Sequence, residues 1–160
     1  MAAFTLFHTF ITLLPVGFGL YGLARDGRID PKTTAGKWYL GTMIVGSLTG
    51  FGFLLKFGFT PGTVLTVLTL GLLLASVLTV RGTGRKPGYV QTLALSTSYF
   101  LLWVFLTTET LKAVNYASSA DDPKLLPVRL VLLGLFAVGA TFQVRAIRST
   151  RQRSPIVVTA

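Results

Sequence analysis

The chain has 160 residues, of which 51% are apolar and only 12% charged, about half the charged share of an ordinary soluble domain. Water is therefore not its main solvent, and the formal charge of +10 falls between apolar runs instead of forming the one basic face of a nucleic-acid binder. The absence of cysteine excludes disulfides, thiolate catalysis and cysteine-held zinc or iron–sulfur groups.

Five apolar stretches follow in chain order, at about 4–24, 38–55, 62–80, 89–112 and 129–146. Each is near the roughly 20 residues that cross a hydrocarbon core, and backbone satisfaction in lipid makes each a helix. The first stretch lacks a basic leader and contains His8, Pro15 and glycines, so it is expected to remain as a span and not to be cleaved as a signal peptide. Pro15 removes one backbone hydrogen bond, and His8, Thr12, Pro15, Gly19 and Gly22 share one helical face whose small members admit a close neighbour. The second stretch opens with Lys37-Trp38-Tyr39 and contains Gly46-Ser-Leu-Thr-Gly50, a small-xxx-small pattern suited either to packing within the bundle or to a homodimer. The third is mostly Leu, Val and Thr. The fourth carries Gln91, Ser98, Tyr99, Trp103 and Glu109, and the polar atoms of Tyr99 and Trp103 need partners at depth. The connectors RDGRIDPKTTAGK, KFGFTP, RGTGRKPG and AVNYASSADDPKLLPV are rich in turn-forming residues. RGTGRKPG lacks the strand and spacing of a phosphate-binding loop.

Orientation follows from the basic residues. Arg25, Arg28, Lys32, Lys37, Arg81, Arg85, Lys86, Arg145, Arg148, Arg151 and Arg153 fall on alternate connectors and the tail, leaving Lys56, Lys112, Lys124 and Arg129 on the opposite side. The positive-inside rule then places the amino terminus outside and the tail in the cytoplasm. The expected fold is all-α: a polytopic membrane bundle with five transmembrane helices over residues 1–148 and a basic tail over 149–160. That tail is short enough to lie against anionic headgroups.

The stretches FHTFITLLPVGFGLYG and KTTAGKWYLGTMIVGSLTG pair a first helix that has a histidine near its start with a second helix that opens on Gly, aromatic and Met residues. Over Phe7–Leu54 the chain thereby resembles a family of small bacterial inner-membrane proteins of unknown function. The resemblance implies multi-pass insertion in a bacterial inner membrane. Members often carry a further histidine before the second helix, where this chain has Ala35, Gly36 and Lys37.

Within the spans the ionisable candidates are His8 and Glu109, each about one helical turn below the outer boundary. On α-helical spacing Ser98 and Gln91 line up beneath Glu109, and Thr12 lies beneath His8. One reading brings the two groups together with Ser98, Gln91 and Thr12 as an outward-facing site for a proton, cation or small polar solute. The other leaves both at the interface, with Glu109 paired to Lys112 one turn on. Gly19, Gly22, Gly46 and Gly50 are assigned to helix packing.

No cofactor and no metal site is expected. A single histidine cannot ligate haem twice, so haem requires two protomers sharing it through His8. The expected partners are membrane lipids, with other membrane subunits or a second copy as further possibilities, and no nucleic acid. An accessory subunit of a larger membrane complex is the alternative function. A lipid- or quinone-active enzyme is a further one, disfavoured by the scarcity of acid–base groups.

Overall fold

The computed structural model describes residues 2–80 and 87–152. The cationic connector Arg81–Lys86 and tail residues 153–160, both used above to orient the chain, lie outside the described residues. Five α-helices occur among the described residues: α1 (Ala2–Asp26), α2 (Thr34–Phe57), α3 (Pro61–Val80), α4 (Pro87–Ala113) and α5 (Leu126–Gln152). A short 3₁₀ turn, Pro123–Leu125, leads into α5.

The helices end where the chain supplies caps. Gly27, at φ +66°, turns its N–H back to Leu23 O at 3.0 Å and closes α1. Gly58, at φ +71°, does the same to Leu54 O at 2.9 Å and closes α2. Both adopt the left-handed conformation that glycine takes without a Cβ penalty. Between α1 and α2 the chain folds on Asp30. Its carbonyl accepts from the Thr33 N–H at 3.0 Å and hydroxyl at 2.8 Å, and Thr33 caps α2 by accepting from Gly36 N–H at 3.1 Å. Pro61 opens α3 at the position where a missing N–H costs nothing. The connector before α5 is organised by Asp122, which accepts from Ser118 N–H at 2.8 Å and Lys124 N–H at 3.0 Å. The backbone donors of Ser118 and Lys124 hold that carboxyl below its ordinary range.

Helices consecutive in the chain pack side by side, and α1 returns to touch α4, so α1 to α4 form a closed bundle with α5 laid against α4. Ile29, Tyr39, Met43, Leu73, Leu95 and Tyr99 form its core. Helix α4 is central: a third of its apolar stretch is buried, against 6% for α5. Large apolar side chains such as Leu6, Phe10, Leu20, Leu130 and Phe142 point outward, as they do where the surroundings are acyl chains.

Among the described residues, four helices are long and apolar enough to cross a bilayer: α1, α3, α4 and α5 with its entry turn. This is the architecture of a multi-pass helical membrane protein. Helix α2, at 24 residues, is about 36 Å long. Its apolar run lies between Lys37 and Lys56 and is interspersed with Gly, Ser and Thr.

Candidate functional site

His8 lies on the seam between α1 and α2. Its Nδ1 is 2.8 Å from Thr49 Oγ1, and the Thr49 hydroxyl donates its hydrogen to Gly46 O at 2.9 Å. This bond to Thr49 holds the imidazole in orientation between the two helices. The ring stands edge-on to Phe53, with centroids 4.9 Å apart. Thr12, one turn below, donates back to His8 O at 2.9 Å and turns its methyl group to Gly46, where a Cβ would come within 2.9 Å. Gly50 faces His8 and Thr66 at ordinary contact distance. The Gly46–Gly50 pattern thus meets α1 and α3 of the same chain.

Glu109 is paired within its own helix, α4. Both its carboxylate oxygens accept from Lys112 Nζ, at 2.9 and 3.1 Å, in an exposed pair of the kind that contributes little to stability. No hydrogen bond joins it to His8 among the described residues. The polar line below Glu109 is also interrupted. Leu95 is fully buried, and Gln91 is only half-buried. Ser98 donates to Leu95 O at 2.8 Å and lies 2.8 Å from Tyr39 Oη. This is a closed hydrogen-bond pair in the core between α2 and α4. Gly19 lies under the Tyr99 ring, and Gly22 packs on the backbone of Arg28 and Ile29. Among the described residues no three His, Cys, Asp or Glu side chains gather as metal ligands.

A second feature had no counterpart among the candidate residues. A cleft of about 360 Å³ opens between α4 and α5, with Leu23 of α1 at one end. That volume lies within the range of about 300–1,000 Å³ typical of small-molecule sites. Helix α4 contributes Ser96, Tyr99, Phe100 and Trp103, and α5 contributes a stripe running from Leu132 through Phe136 and Gly139 to Gln143. Both sets follow the spacing of a single helical face. Phe100 stacks on Phe136 at 4.9 Å, and Tyr99 Oη donates to Val16 O at 3.1 Å, which fixes that ring against α1.

The polar end of the cleft is a short relay. Ser96 Oγ donates to Gln143 Oε1 at 2.7 Å, and Gln143 Nε2 donates to Gly27 O at 3.1 Å. Gln143 thereby ties α5 both to α4 and to the turn after α1. The sequence signal was the amide of Gln143 on the same face as Phe136, Gly139 and Ala140. A search restricted to ionisable groups passes over it.

No protein-family model, no curated protein and no solved structure matches the chain.

Proposed function

We propose that the chain crosses the bilayer five times, with its amino terminus outside and its basic tail in the cytoplasm. In this reading it binds an apolar small molecule taken laterally from the membrane into the cleft between α4 and α5. The observation that carries this is the cleft itself, walled by Tyr99, Phe100, Trp103 and Phe136 on helices whose outer faces are apolar. Aromatic walls with few polar groups suit an apolar ligand, and those polar groups fix its orientation. No acid–base pair lines the cleft, which favours a binding or carrier role over catalysis. The polar-solute reading at the outer leaflet rests on His8 alone once Glu109 is paired with Lys112. An accessory role in a larger complex, or a homodimer, is supported by one observation, the 6% burial of the α5 apolar stretch, which leaves most of that helix available to a neighbour in the membrane.

Gly139 gives a clean test. It lines the cleft, and a Cβ built there meets no atom within 4 Å, so Gly139→Leu leaves the helix backbone unstrained and puts its bulk at the cleft. Gly134, on the same helix but outside the cleft lining, is equally open and serves as the control. Native mass spectrometry of the detergent-extracted protein is expected to show apolar adducts on the unaltered chain and on Gly134→Leu, and to show them lost from Gly139→Leu. Equal adducts on both variants, or none on the unaltered chain, would remove the proposal.

A further inference from the structure

We infer that the cleft takes an uncharged amphiphile, a single apolar chain ending in an ester, amide or alcohol, with that head on Ser96 and Gln143. The inference rests on the cleft reading above and adds the chemistry of the ligand. Every side chain lining the cleft is neutral. Ser96 and Gln143, each 8% exposed, are buried, and a desolvated ionic head there has no counter-charge, which is costly.

The relay also has unused capacity. A primary amide carries two N–H donors and a carbonyl with two lone pairs. Gln143 spends one donor on Gly27 O and one lone pair on Ser96. One amide N–H is left to donate to a ligand carbonyl or hydroxyl oxygen, and the acceptor positions on Oε1 and Ser96 Oγ are left to accept from an amide N–H or a hydroxyl.

The rest of the cleft accommodates the chain. From Gln143 to Leu132 is about 16 Å along the helix axis. The way passes the small residues Gly139 and Ala140, then the Phe100 and Phe136 rings, and reaches Trp103. In the proposed orientation Gln143 lies beside the cytoplasmic turn at Gly27, so head and chain take the depth of an inner-leaflet lipid.

The test uses Trp103 as the reporter in full-length protein bearing Trp38→Phe, which removes the other tryptophan. Three brominated quenchers of equal chain length are compared in detergent micelles: a fatty-acid methyl ester, an alkane and an alkyl sulfonate. The ester is expected to quench Trp103 at roughly tenfold lower mole fraction than the other two, the effect of about one net hydrogen bond. Ser96→Ala, which removes the hydroxyl that orients the Gln143 amide and leaves the tie to Gly27 intact, is expected to reduce that advantage without changing quenching by the alkane. Gln143→Met should lose all of it. If the three quenchers act equally on the unaltered cleft, or the advantage survives both substitutions, the assignment of the head is wrong while the cleft remains. If none quenches, or Gly139→Leu leaves quenching undiminished, the cleft reading itself fails.

Discussion

Gly36→Ala is expected to destabilise the bundle by about 3 kcal/mol, a large loss for the addition of one methyl group. The new Cβ would fall on the carbonyl oxygen of Asp30, 2.5 Å from its carbon and 3.0 Å from Pro31 Cα. These are backbone atoms and cannot rotate away. Asp30 O holds Thr33 through two hydrogen bonds, and Thr33 caps α2 through Gly36 N–H. Lifting the turn breaks that cap, itself a contribution of about 1 kcal/mol, and draws Ile29, 1% exposed, out of the core. Gly41 is the control, since a Cβ there meets nothing within 4 Å, and alanine at an open helical site is favourable by about 1 kcal/mol. Thermal unfolding in detergent should therefore show a clear drop for Gly36→Ala and none for Gly41→Ala. Equal midpoints would mean that the turn yields.

Gly19→Leu should be comparably damaging, by about 3 kcal/mol, through a different contact. Its Cβ would meet the Tyr99 ring, with Cδ2 at 2.6 Å, and come within 3.2 Å of Tyr39. Tyr99 cannot swing aside freely. Its hydroxyl is bonded to Val16 O, and its ring stands edge-on between Tyr39 and Trp103. Because Tyr99 also walls the cleft, the same substitution is expected to perturb Trp103 emission. Gly17→Leu, two residues earlier with nothing within 4 Å, should leave both stability and emission unchanged. A Gly19 variant as stable as the Gly17 variant would contradict the close contact of α1 and α4.

The helices were legible because long apolar runs alternate with Gly, Pro and Asp, and only helices satisfy a backbone within such runs. Their ends were less so. Helix α2 starts at Thr34 and α5 runs on to Gln152, beyond the apolar stretches at 38–55 and 129–146, because a helix continues until a cap or breaker stops it and not where hydrophobicity fades. The tail expected from residue 149 therefore begins as helix.

The site was much less legible. Counting residues gives the depth of His8 and Glu109 but not their direction around the bundle. The face that α4 turns to α1 carries Tyr99, while Glu109 turns to Lys112. Tyr99 and Trp103 stood out in the sequence as polar-tipped rings at depth, and both line the cleft. Their companions, Phe100 and Phe136, are indistinguishable in sequence from any lipid-facing aromatic. The partnership of Ser96 with Gln143 joins residues 47 positions apart, a pairing that only the packing of α5 on α4 determines.

The five-span reading turns on whether α2 crosses the bilayer, and the absence of native cysteine makes that directly measurable. Single cysteines at Lys32, Phe59 and Ser118, treated in intact cells with a membrane-impermeant maleimide, report the two ends of α2 and the connector before α5. Labelling from outside at positions 59 and 118, with position 32 reached only after permeabilisation, is the expected pattern. Positions 32 and 59 reacting from the same side would contradict it.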